Sequence, residues 1–178
     1  MMDGLPKRKH PRLKNHDYSE PGAYFVTVCT KNKEHILSRI VAADPSPVRR
    51  DALIPPRVQL LPAGKIVDDL IRRTETVYEN VTVDAYVIMP NHFHIILHIH
   101  APKNSGGMRA SRPTIHQMVR AIKTGTTRQL GYSIWHTSYY DHVIRGPWDY
   151  DEILQYIQNN PAKWHLDRFY IPEGEKHP

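Results

Sequence analysis

Hydrophobic and polar positions alternate or recur with clear periods along most of the chain. The segment GAYFVTVCT, residues 22 to 30, is aromatic and β-branched and follows Pro21-Gly22, so it predicts a strand. Between 31 and 60 the pattern weakens, and Pro45, Pro47, Pro55 and Pro56 exclude long regular elements, leaving an irregular excursion. In GKIVDDLIRRTETVYEN, 64 to 80, Ile66, Val67, Leu70, Ile71, Val77 and Tyr78 recur at helical spacing and form one apolar face. VTVDAYVIM and HFHIILHIH then read as two strands joined by the turn signal Pro90-Asn91, an antiparallel hairpin. A second helix is predicted over 112 to 130, with Ile115, Met118, Val119 and Ile122 on one stripe and Pro113 and Thr114 in its first turn. TSYYDHVIR, 137 to 145, returns to strand composition, and DYDEILQYIQNN, 149 to 160, is a third helix that begins with acidic residues and is stopped by Pro161.

The order is strand, helix, strand, strand, helix, strand, with one helix appended. This is the α+β, ferredoxin-like split βαβ sandwich: a four-stranded antiparallel sheet with two helices on one face, plus a C-terminal helix. At 178 residues the chain suits a single core. The expected organisation is a basic N-terminal arm over 1–20, one domain over 21–165 and a C-terminal tail over 166–178.

Composition narrows the functional classes. No apolar run approaches the ~20 residues of a membrane-spanning helix. The start, MMDGLPKRKHPRLKNHDYSEPG, is basic and broken by proline, with no apolar block behind its charges, so a soluble, cytoplasmic protein is expected. A single cysteine, Cys29, excludes an internal disulfide framework and reads as a small buried apolar residue. The net charge of +6 is concentrated in two places. Lys7, Arg8, Lys9, Arg12 and Lys14 crowd the N-terminal arm, and Lys103, Arg109 and Arg112 lie in a glycine-, serine- and proline-containing loop. Such segments either lie along phosphates or simply keep a surface solvated.

The most unusual pattern is in YVIMPNHFHIILHIH, 86 to 100. Side chains alternate across a strand, so His92, His94, Ile96, His98 and His100 share one face, and Phe93, Ile95, Leu97 and Ile99 the other. The apolar set belongs under the two packed helices, which leaves the histidines on the opposite face. Positions two apart lie roughly 6.5 to 7 Å from each other, close enough for His92 and His94 to converge on one ion at about 2.0 to 2.2 Å. His98, roughly 13 Å from His94, reads with His100 as a sheet-face or surface residue. Packing is the competing explanation for the pair. A triple-histidine phosphate motif is excluded, because its third place is Ile96. On the last helix Tyr156 and Asn160 stand four apart and share a face. An amide oxygen can ligate a divalent cation and a phenol can act as a nucleophile, although Tyr156 equally suits an apolar helix face beside Ile153 and Ile157.

Taken together, RLKNHDYSEPGAYFVTVCT, PNHFHIILHI, YYDHVIR and YIQNNPAKW resemble the REP-associated tyrosine transposases of the single-tyrosine HUH transposase superfamily, related to the IS200-like transposase family. The resemblance runs from about Arg12 to Trp164. It implies a metal-dependent DNA transposase and nickase that cuts and rejoins single-stranded or hairpin DNA of palindromic repeats through a 5′-phosphotyrosine intermediate. It further implies that His92 and His94 hold Mg²⁺ or Mn²⁺, that Tyr156 is the catalytic nucleophile, and that Asn160 is the third metal ligand, where relatives commonly carry glutamine. The same resemblance makes the basic arm and loop the DNA grip and Trp135, Tyr139 and Tyr140 candidate stacking surfaces, with core packing expected for at least two of these three. His136 stands where relatives often have glutamine. The repeat-associated branch implies a monomer, whereas insertion-sequence relatives are dimers. The alternatives are a domesticated protein that grips hairpin DNA without cutting it, and a hydrolase of small phosphoesters, which leaves both basic segments unexplained.

Overall fold

The computed structural model describes residues 17–41, 56–101 and 113–172. In chain order the elements are β1 (Gly22–Cys29), β2 (Ser38–Val41), β3 (Arg57–Leu60), α1 (Pro62–Val77), β4 (Val81–Ile88), β5 (His92–Ile99), α2 (Ile115–Leu130), β6 (Tyr140–Val143) and α3 (Gly146–Asn159). The main sheet is antiparallel with order β4-β5-β1-β6, so the hairpin β4–β5 lies to one side of β1 and β6 to the other. The α+β sandwich expected from the pattern of elements is the observed architecture.

The excursion between β1 and α1 is more regular than the sequence suggests. Its prolines fall outside two four-residue segments, and these pair as β2 and β3 with Ser38 opposite Leu60. The first turn of α1 then runs tightly past Leu37. The Leu61 amide donates to the Leu37 carbonyl over 2.9 Å, and a Cβ on Gly64 would collide with that same oxygen. The second helix starts later than predicted. Thr114 is its N-cap rather than part of its first turn, with the Thr114 hydroxyl accepting from the Gln117 amide and the Gln117 side chain accepting from the Thr114 amide. This reciprocal cap satisfies donors that the first turn otherwise leaves open.

Two apolar layers flank the sheet. On one face Tyr24, Val26, Val28, Phe93, Ile95, Leu97 and Ile99 pack with Val67 and Ile71 of α1 and Ile115, Met118, Val119 and Ile122 of α2. On the other, Phe25 and Ile96 pack with Ile153 and Ile157 of α3. The alternation on β5 therefore assigns its faces correctly, and the histidine face is the one covered by α3. Trp135 and Tyr139 are buried, as expected for two of the three candidate stacking residues, while Tyr140 is 47% exposed. Among the described residues no helix is long and apolar enough to cross a membrane.

Candidate active site

The centre of the site is set by strand register. Thr27 of β1 lies directly opposite His94 of β5, and Cys29 opposite His92. Cross-strand partners share a face, so the Thr27 hydroxyl meets His94 Nδ1 at 2.8 Å. His92 and His94 are fully buried, and their Nε2 atoms face each other at 2.9 Å.

The Pro90-Asn91 turn orients His92. Asn91 Nδ2 donates to the carbonyls of Phe169 (2.8 Å) and Lys33 (3.3 Å), which fixes its Oδ1 as the acceptor for His92 Nδ1 at 2.8 Å. An amide oxygen only accepts, so His92 carries its proton on Nδ1 and presents the lone pair of Nε2 to the site. The Lys33 carbonyl is brought there by a strained turn in which Asn32 and Lys33 both adopt left-handed backbone, φ 53° and 52°. Burial above all, then the Arg168 charge, pushes the His92 pKa down to about 3. His94 is also lowered well below the ordinary imidazole value, by burial first and the neighbouring His92 second, with Asp167 opposing. Both rings are neutral, the form that ligates metal.

Tyr156 enters from α3. The helix opens at Gly146 (φ 86°) with Pro147 in its first turn, and Asp149 binds both the Arg145 amide (2.7 Å) and His142 Nε2 of β6 (2.9 Å). These contacts fix the helix on the sheet, and its face places the Tyr156 ring edge-on to Phe25 and 5.1 Å from the His94 ring. The phenolic oxygen is 3.3 Å from His94 Nε2. One turn on, Asn160 is 3% exposed.

Pro161 ends the helix, and the chain turns back through Trp164–Leu166 to bring Asp167 to the same point. Asp167 Oδ2 accepts from the Tyr156 hydroxyl (2.9 Å) and from Asn160 Nδ2 (2.8 Å), while Oδ1 accepts from the Phe169 amide (2.7 Å). Burial first, then the charge and hydrogen bond of Asp167, drive the Tyr156 pKa above its ordinary value, so the phenol is neutral at rest.

His92, His94 and Asp167 offer ligand atoms within 4.8 Å of one another. Two nitrogens each about 2.1 Å from one ion on neighbouring octahedral positions stand roughly 3 Å apart, and the histidine separation of 2.9 Å fits that spacing. Asn160 Oδ1 is buried without a hydrogen-bond partner, a state that costs free energy unless something polar meets it. This donor set suits a hard or borderline divalent cation.

The structure thus brings together His92, His94, Tyr156 and Asn160. The basic residues proposed for DNA binding, Lys7, Arg8, Lys9, Arg12, Lys14, Lys103, Arg109 and Arg112, lie outside the described residues. Asp167, Asn91 and Thr27 were not anticipated. Asn91 was read only as a turn residue and Thr27 only as part of a strand, and Asp167 lies beyond Trp164, where the motifs end. His98 and His100 occupy the far end of the same face, with stacked rings 4.4 Å apart and His98 3.6 Å from Asp84.

An uncharacterised protein of Haemophilus influenzae is 31% identical to this chain over 185 residues, covering 94% of the chain and 96% of that protein. A solved structure of a REP-associated tyrosine transposase bound to a REP hairpin superposes with a TM-score of 0.54 at 22% identity, covering 88% of this chain and 76% of that one. No family model matches the chain.

Proposed function

We propose, for a chain that belongs to one family with the Haemophilus influenzae protein and has the fold of a REP-associated tyrosine transposase, that it is a DNA nickase and strand transferase using Tyr156 as nucleophile. The observation that carries this reading is the Tyr156 hydroxyl lying 3.3 Å from His94 Nε2, beside a buried neutral histidine pair. A core tyrosine needs no such company.

His92, His94 and Asn160 Oδ1, with Asp167, would hold Mg²⁺ or Mn²⁺. A cation so bound supplies electrophilic activation of a phosphate and neutralises charge developing on its oxygens. Asn91 fixes His92 with its Nε2 lone pair directed into the site, and the Thr27 hydroxyl holds the His94 ring in place beside it. Asp167 Oδ2 already accepts the phenolic proton and takes it as the Tyr156 oxygen attacks phosphorus. The O–P bond to tyrosine forms, the bond to the 3′ oxygen breaks, and that oxygen takes a proton from solvent water while Asp167 later returns its own to solvent, leaving a 5′-phosphotyrosine and a free 3′-hydroxyl. Attack by another 3′-hydroxyl reverses these steps and releases the phenol. The tyrosyl ester conserves the bond energy, so no nucleotide cofactor is consumed.

The substrate in this reading is single-stranded or hairpin DNA, gripped in part by the basic arm and loop. Incubation with Mn²⁺ and hairpin DNA should give a covalent band on a denaturing gel, and Tyr156→Phe should abolish it while leaving binding largely intact. A band that survives the substitution refutes the assignment of the nucleophile. Hairpin binding by the unaltered chain without any covalent band would instead support the non-cleaving alternative.

A further inference from the structure

Register across the sheet places a second feature beside the site. On the α3 face one row runs from His94 through Thr27 to Tyr140 of β6, because Thr27 pairs with both. Neighbouring strands are about 4.8 Å apart, so Tyr140 starts roughly 10 Å from His94. Its ring is not needed by either apolar core and is 47% exposed. Against it lies the segment that follows Asp167. The Arg168 guanidinium sits 4.9 Å from the centroid of the Tyr140 ring and 4.4 Å from that of Phe169, and those two rings are 6.0 Å apart. Phe169 in turn is buried against His92, with ring centroids 4.7 Å apart. A continuous run of tilted ring contacts therefore leads from a metal-ligand candidate to an exposed aromatic, with a cation against its last two rings.

Arg168 itself is exposed, and among the described residues no carboxylate pairs with it. Its charge nevertheless reaches His92, His94 and Tyr156. A cation that follows Asp167, the residue bonded to the Tyr156 hydroxyl, and that has no carboxylate partner among the described residues is suited to a phosphate. A guanidinium within reach of an aromatic face by cation–π attraction still has several N–H donors to offer a phosphate.

We propose that Arg168 and Tyr140 form the path of the cut strand next to the nucleophile, Arg168 binding a backbone phosphate and Tyr140 stacking on an unpaired base. The ligand class is single-stranded nucleic acid with an exposed base. Base stacking explains why an aromatic ring remains outside the core, and the phosphate explains why its neighbour is an unpaired arginine. This inference rests on the nickase reading for its choice of ligand, but its test does not depend on cleavage.

The test is equilibrium binding of a short fluorescein-labelled single strand of mixed sequence to the full chain, in chelator, over a series of salt concentrations. Arg168→Ala should weaken binding and lower the slope of log affinity against log salt by about 0.7, the share of one single-strand phosphate. Arg168→Lys should keep most of that slope. Tyr140→Ala should weaken binding about 5- to 150-fold with the slope unchanged, and Tyr140→Phe should bind as the unaltered chain does. Circular dichroism melts show whether each variant is folded. Folded Arg168→Ala with unaltered affinity and slope overturns the phosphate assignment, as does failure of the unaltered chain to bind single strands. The covalent-band assay separates the two readings. A chain that binds through Arg168 but forms no adduct keeps this inference and loses the nickase. A chain that forms adduct with equal efficiency when Arg168 and Tyr140 are both alanine keeps the nickase and loses this inference.

Discussion

Strand β5 carries two histidine pairs with identical spacing on one face, and they differ in almost everything else. His92 and His94 are fully buried beneath Tyr156 and Phe169, each with its Nδ1 hydrogen-bonded by a fixed neighbour. His98 has a side chain 39% exposed and stands near Asp84, while His100 Nε2 contacts the Thr82 hydroxyl at 3.0 Å. Spacing makes two imidazoles neighbours. What makes one pair a candidate metal site is enclosure and the holding of both Nδ1 atoms by neighbouring side chains; an acid nearby is not enough, since His98 has Asp84 beside it.

The comparison can be broken most directly by removing each pair. His94→Ala should lower covalent-adduct formation by more than about 100-fold, since the loss of a partner that merely orients a ligand already costs about 10- to 100-fold. The double change His98→Ala with His100→Ala should stay within about 3-fold, as expected of surface positions away from the chemistry. Equal losses at both pairs would mean that the enclosure described here is not what matters. The role of the second layer is sharpened by Asn91→Ala, which leaves the His92 Nδ1 proton without its acceptor. Weakening of Mn²⁺ affinity by about 10- to 100-fold is expected in titration calorimetry, with a stability loss of about 1–3 kcal/mol by denaturant unfolding.

The same burial also shows without any substrate, as a pH dependence of stability measured with chelator present. A histidine held neutral in the fold, with a pKa near 3 at His92, takes up its proton only on unfolding. The unfolded ring titrates near pH 6.5. Stability is therefore full above that value and falls as pH drops from about 6.5 toward 3, by at most about 1.4 kcal/mol per pH unit for one such group. His92→Gln should make this acid limb shallower in urea melts. An unchanged limb would place the stability loss in other groups.

The parts of the site that lie on regular elements were legible in the sequence. Period-two alternation on β5 separates Ile95 and Leu97 from His92 and His94, and the four-residue spacing on α3 puts Tyr156 and Asn160 on one side. Thr27 was invisible because its importance comes from register, which pairs it with His94 sixty-seven positions away. Asp167 was invisible for another reason. It lies past the proline that ends α3, and its place is decided by the 3-10 turn at Trp164–Leu166 and by Phe169 packing on His92. Neither leaves a periodic signal. The strands β2 and β3 were missed because each is only four residues long, too short to show alternation.

That Tyr156 meets the histidines of its own chain, 3.3 Å from His94 Nε2, has a kinetic and genetic consequence. Single-turnover cutting should be first order, with a rate constant indifferent to dilution of the protein. An equimolar mixture of His94→Ala and Tyr156→Phe chains should regain nothing where each copy uses its own tyrosine, and recovery of adduct would show the tyrosine acting between two copies.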